Sequence, residues 1–219
     1  MRLSGILTAA ALLCLPATGM SQLVISEVVE GTGNNFKYIE ILNRGGSAVN
    51  LASPQISLRR FANGSASPFA INLTGTIPAN GRFVIANNQT DYRAVFGATA
   101  DASVYNTNIT HNGDDAWDLY DGTTVLDGFA KDWATGTDPG NPAADGAYFR
   151  VLSAMPNNGD WGGTGAAPIA DGTTSPSGAW YRVAMTASNG NAAAICTPFT
   201  TGGGGGVEVP VSVSAFSID

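Results

Sequence analysis

Eight short stretches of this chain alternate apolar and polar residues with a period of two, and clusters of Gly, Asn, Asp, Ser and Pro separate them. Side chains along a strand point to opposite faces in turn, so such alternation reads as a half-buried strand and the clusters read as turns. The runs are 23–29 (LVISEVV), 37–43 (KYIEILN), 55–61 (QISLRRF), 69–73 (FAINL), 82–86 (RFVIA), 116–120 (AWDLY), 124–129 (TVLDGF) and 180–185 (WYRVAM). Helices are a poor alternative, because only 12% of the 219 residues are charged and 28 are Gly, too few long charged side chains to coat several helices. The expected fold class is all-β, a sandwich or barrel.

Within 37–43, Tyr38, Glu40 and Leu42 share one face and Ile39, Ile41 and Asn43 the other, which turns the two isoleucines to a core. In 23–29 the same alternation groups Glu27 with Ile25 and Val29, opposite Ser26 and Val28. Asp121-Gly122 predicts a tight hairpin, since Gly accepts the positive φ such turns need. One helical turn is expected over 90–97, capped by Thr90 or Asp91, with Tyr92, Val95 and Phe96 on one side and Gly97 ending it. From 133 to 179 periodicity disappears and long irregular loops are expected.

At the amino end, Arg2 precedes an apolar stretch, 6–16, too short to cross a bilayer core of ~30 Å as a helix. With Gly19 and Ser21 as small residues before a cleavage point, 1–21 reads as a Sec-type signal peptide and the product as secreted. Cleavage removes Cys14 and leaves Cys196 without an intrachain partner, read as a small buried apolar residue, with an intermolecular bridge or a reactive thiol as the alternative. The domain then spans 22–199, followed by a Gly-rich linker, 200–206, and a terminal strand or tail, 207–219. Residues 207–218 (VEVPVSVSAFSI) alternate like a strand that Pro210 confines to an edge or an irregular position; pairing with a neighbour's edge is a route to a homo-oligomer.

Three blocks carry more specific information. LVISEVVEGTGNNFKYIEILNRGGSAVNL (23–51) holds an ISE strand, a Gly/Asn turn and a YIEI strand; INLTGTIPANGRFVIANN (71–88) and NGDDAWDLYDGTTVLDGFA (112–130) follow as two hairpins. In this order they resemble the lamin tail domain family, and the EGTGNN turn is most similar to copies attached to secreted bacterial nucleases. The resemblance covers 23–133. It implies an immunoglobulin-like β-sandwich, here with long irregular loops, used outside the cytoplasm as a non-catalytic accessory or surface module. Beyond Trp133 the chain has no His and no dense Asp/Glu/His cluster to hold two metals, so nuclease activity is not expected to carry over.

The residues themselves also argue against chemistry. Seventeen acidic against ten basic groups disfavour nucleic acid, whose affinity comes mainly from neutralised phosphates. One His and two Cys nearly exclude zinc sites. His111, the sole imidazole for a triad, lies in the turn-rich NITHNGD and reads as a surface loop residue, with no G-x-S-x-G elbow nearby. Strand pairing can bring Glu27 and Glu40 together as a glycosidase needs, but both recur in the family pattern without hydrolysis, so no enzyme is expected. Calcium is the one possible cofactor: nine Asp lie between Arg93 and Arg150 with Lys131 as the only base, and Asp132, Asp138 and Asp145 are the candidate ligands, although Asp also favours turns. Trp117 and Trp180 read as core, whereas Trp133, Trp161 and Tyr148 are candidates for a sugar-stacking platform or, alternatively, for pins that hold down the long loops. The expected partner is an extracellular protein or glycan.

Overall fold

The alternating runs are strands in the computed structural model, which describes residues 23–31, 36–136, 143–144, 146–151, 161–162, 170 and 172–184. In chain order these are β1 (Leu23–Glu30), β2 (Lys37–Asn43), β3 (Val49–Asn50), β4 (Ser57–Phe61), β5 (Phe69–Asn72), β6 (Thr76–Ile77), β7 (Arg82–Ala86), helix α1 (Gln89–Phe96), β8 (Val104–Tyr105), β9 (Ala116–Tyr120), β10 (Val125–Phe129), β11 (Gly146–Arg150) and β12 (Trp180–Ala184). Two sheets carry the fold, one of six strands ordered β12-β11-β1-β2-β7-β8 and one of four ordered β10-β9-β4-β5; β3 and β6 pair separately. All neighbours are antiparallel except β7 and β8.

The core between the sheets is the one the alternation points to. Ile39 and Ile41 from β2 meet Leu58, Ile71, Trp117, Leu119 and Phe129 from the smaller sheet, and Trp180 joins them, all buried. Each such side chain contributes about 1.5–3 kcal/mol by leaving water. The Asp121-Gly122 hairpin forms between β9 and β10: Gly122 has φ 90°, and the Asp121 carboxylate accepts the Thr123 and Thr124 N–H groups at 2.8 and 2.6 Å.

Three expectations change. The face assignment in β1 fails at Ser26, because a bulge there shifts the register between Ile25 and Glu27. Ile25 and Val28 therefore face the core while Glu27 and Val29 share the outer face with Tyr38 and Glu40. The helix starts one residue earlier than expected and its cap is Asn88, extended in backbone, whose side-chain oxygen accepts the Asp91 N–H at 2.8 Å while Asp91 accepts from Asn88 Nδ2 at 2.7 Å. Gly97, at φ 105°, closes it as expected, and Tyr92 and Phe96 pack on Tyr38 over the outer face of the larger sheet. Finally, the region read as loop contains β11, which sits between β1 and β12 inside that sheet.

Candidate functional site

The residues expected to bind ligand are placed elsewhere than a binding surface requires. Trp133, Trp161 and Tyr148 are buried, and with Phe129 they form one aromatic cluster: Trp133 and Trp161 have ring centroids 4.9 Å apart, and Tyr148 and Trp161 5.5 Å. No face is left to stack on a sugar, so the platform reading is corrected to the alternative, aromatic pins under the loops. Asp132 explains the placement. Its two carboxylate oxygens accept the Trp161 and Gly162 N–H groups at 2.8 and 2.9 Å, which clamps a segment 29 residues away onto the turn Lys131–Trp133. Asp138 and Asp145, the other candidate calcium ligands, lie outside the described residues, as does Cys196. Among the described residues, no group of three His, Cys, Asp or Glu is arranged to hold a metal ion.

The bulge does bring Glu27 and Glu40 into direct register. Glu40 is held by Arg82 at 2.9 Å and by the Ser26 hydroxyl at 2.6 Å, and Glu27 Oε1 accepts the Tyr38 hydroxyl at 2.9 Å. Burial, and then the Glu40 charge, raise the Glu27 carboxyl well above the ordinary range; burial raises Glu40 as well, but there the Arg82 charge opposes it. A pair divided in this way resembles an acid and base, but each residue is only 1% exposed and a substrate has no approach. A buried neutral carboxyl can be replaced by its amide. Glu27→Gln is therefore expected to leave thermal stability at pH 7 unchanged or raised, since folding no longer has to take up a proton; a large drop in melting temperature would contradict this.

His111 is also corrected. It is buried, not a surface residue: its Nε2 lies 2.7 Å from the Val29 carbonyl oxygen, its ring meets Trp117 edge to face, and Lys37 donates to its backbone carbonyl. Nearby, burial raises Asp115 to about 6 even though its carboxylate accepts the Asn63 N–H.

Among the described residues, one sheet edge stays accessible over several residues. The β12 edge is closed by 172–175, which exchange backbone hydrogen bonds with Arg182 and Trp180 at 2.7–3.0 Å. The β10 edge is clamped to the larger sheet: Asp127 accepts the Ile25 N–H at 2.9 Å and faces Arg150 at 3.0 Å, while Arg150 also donates to the Gly128 carbonyl at 3.3 Å. β8 offers only two residues. Like β10, β5 has no strand on its outer side among the described residues, but Phe69, Ala70 and Asn72 of β5 are exposed whereas Asp127, Gly128 and Phe129 of β10 are buried. Leu73 donates its N–H to Ile56 on the β4 side, so by alternation Ala70 and Asn72 direct N–H and C=O outward. Phe69 at the same edge is 48% exposed, the largest apolar side chain left in water among the described residues. Beside it the outer sheet face carries Arg59 stacked 3.8 Å over Tyr120, with Asp118 held between Arg59 at 2.7 Å and Lys131 at 3.5 Å.

Against known families, the model described as Lamin Tail Domain matches residues 16–132, more than half of the chain. The chain belongs to the lamin tail domain family. A comparison with curated proteins finds no match. The family is one of immunoglobulin-like structural and binding domains, generally non-catalytic, and the all-β sandwich agrees with it. In this lamin tail domain the matched range contains β1 to β10 and α1, and thus both flanks of the open edge; β11 and β12 complete the larger sheet from outside it.

Proposed function

We propose that this lamin tail domain is an exported, non-catalytic binding module that engages a partner polypeptide outside the cell through the edge of β5. The observation that carries the reading is that edge: an exposed Phe69 beside outward N–H and C=O groups of Ala70 and Asn72, whereas among the described residues the β12 edge is paired by 172–175 and β10 is buried over 127–129. A polypeptide is favoured over a glycan because Trp133, Trp161 and Tyr148, the candidates for stacking on sugar, are in the core. Export rests on the apolar stretch within 1–21. Catalysis finds no support in the buried Glu27 and Glu40 pair.

The test uses the direction of one N–H. Ala70→Pro removes an outward donor without touching the ladder to β4, so the fold is expected to survive while the edge is blocked. Fluorescently labelled protein should adhere to the envelope of the cells that produce it, and Ala70→Pro should reduce adhesion at least about tenfold, a change of about 1.4 kcal/mol. Adhesion unaffected by Ala70→Pro, or turnover of a glycan or nucleic acid by the purified protein, would overturn the reading.

A further inference from the structure

We propose that the edge of β5 has a resident strand, the chain's own segment 207–218, which pairs with it in cis as a fifth strand of the smaller sheet. The inference rests on the reading of β5 as a docking edge and names what occupies it before any partner arrives.

The sequence of the segment matches the requirement of the edge. Residues 207, 209, 211 and 213 are all Val and 215 is Ala, while 208, 210, 212 and 214 are Glu, Pro, Ser and Ser. Over 207–215 one face is therefore apolar and the other polar, as an added strand must be when it covers a core margin on one side and meets water on the other; Phe216 and Ile218 reverse the pattern past the end of β5. At the edge, Ile71 and Leu73 face the core, Phe69 continues that face into solvent, and Ala70 and Asn72 face outward. The side-chain faces and the hydrogen-bonding positions alternate together. An antiparallel strand with its valines toward the core must then bond to Ala70 and Asn72 through its even-numbered residues. Pro210 has no N–H to give, so it cannot stand opposite either position. Ser212 opposite Asn72 and Ser214 opposite Ala70 satisfy both conditions. In this register Val211, Val213 and Ala215 cover Leu73, Ile71 and Phe69, and Pro210 falls beyond the open ladder. A slip of one residue would turn the valines to water.

The tether allows the pairing within one molecule. Since β1 packs on β10 and β9, β5 lies at the opposite margin of the sandwich from β12. Four to five strand spacings and one sheet separation put it about 25 Å away. Residues 185–206 connect β12 to the segment, and 22 residues can span at most about 75 Å, well beyond that distance. A tether long enough to span the distance makes the pairing intramolecular, which favours the chain's own segment over that of a second copy at ordinary protein concentrations.

The test places cysteines on the solvent face of the pair. In the full chain with Cys14→Ser and Cys196→Ser, Asn72→Cys combined with Ser212→Cys sets two Cα atoms about 5.5 Å apart, within disulfide range. Oxidation is expected to give an intramolecular bond, seen as a faster-migrating monomer on a non-reducing gel, whereas Asn72→Cys with Val213→Cys gives none. In the unsubstituted chain, deleting 207–219 is expected to speed hydrogen exchange at the Ala70 and Asn72 amides at least about tenfold. A cross-linked dimer would assign the edge to a second copy and overturn the proposal. No cross-link, or amides that exchange equally fast with and without the segment, would overturn it too, and would leave the docking reading to stand or fall on Ala70→Pro alone.

Discussion

Arg150→Ala is expected to destabilise the domain by about 3–5 kcal/mol, the usual consequence of leaving one partner of a buried ion pair behind. In a domain of this size that lowers the melting temperature by on the order of 10 °C. Arg150 and Asp127 are both essentially inaccessible to water and 3.0 Å apart, on strands of different sheets. The arginine also lies 5.2 Å from the centre of the Trp180 ring, so its loss opens packing as well. Burial outweighs the adjacent guanidinium and raises the Asp127 carboxyl to about 6, which means that the pair costs desolvation and serves to hold β10 against β1 and β11. This gives the prediction a pH signature. At pH 7.5 the variant must either bury an uncompensated carboxylate or take up a proton on it, whereas near pH 5 the carboxyl is already protonated and neither cost arises. The cost of Arg150→Ala should therefore shrink as pH falls. Replacing both partners, Asp127→Leu with Arg150→Met, should recover part of the loss but leave the Ile25 N–H without its acceptor, a remaining cost of about 1–3 kcal/mol. Urea denaturation at both pH values measures all three, and a loss under 1 kcal/mol for Arg150→Ala at pH 7.5 would show that the pair does not hold the sheets together.

The limits of the sequence reading have the same origin as this pair: what is local is legible and what crosses the sandwich is not. Alternation in 37–43 identifies Ile39 and Ile41 as core because a strand with one wet face repeats every two residues. β11 escapes the same test, since Ala147, Tyr148, Phe149 and Arg150 are buried on both faces and a strand covered on both sides shows no alternation. Asp127 reads as an ordinary polar residue of the strand 124–129 until β1 is beside it, 102 residues away. Trp161 lies in a stretch without periodicity, and only the Asp132 clamp shows that it belongs to the core. The site divides in the same way. That 69–73 is a strand is readable from its residues, but that β5 is an open edge depends on the strand order of the whole sheet.

His111, the single histidine of the chain, is expected to stay neutral in the folded protein down to a pH of about 3. Burial is the first cause, and the positive charges of Lys37 and Arg60 add to it. The geometry gives the same answer. Nε2 donates to the Val29 carbonyl, and Nδ1 is buried with no partner among the described residues, so protonation would create an N–H with nothing to accept it. In the unfolded chain the imidazole titrates near 6.5. As pH falls below that value the unfolded state takes the proton first, so this residue removes stability between pH 6.5 and about 3. Between pH 7 and 4 the loss amounts to about 3 kcal/mol at 1.36 kcal/mol per unit. Asp115 and Asp127 act in the opposite sense: with folded values of about 6, the folded state takes their protons first and gains stability from pH 6 down to about 4. The profile of the unsubstituted protein mixes these contributions, and the difference from His111→Gln separates them. Glutamine keeps a donor for Val29 and carries no titrating group, so relative to the unsubstituted protein it should gain about 3 kcal/mol as pH falls from 7 to 4, measured by urea denaturation at several pH values. The nuclear magnetic resonance shift of the one imidazole should stay flat over the same interval. A midpoint near 6.5 in the folded protein, with the two stability curves running parallel, would mean that this ring is open to water and that the contact with Val29 does not seal it.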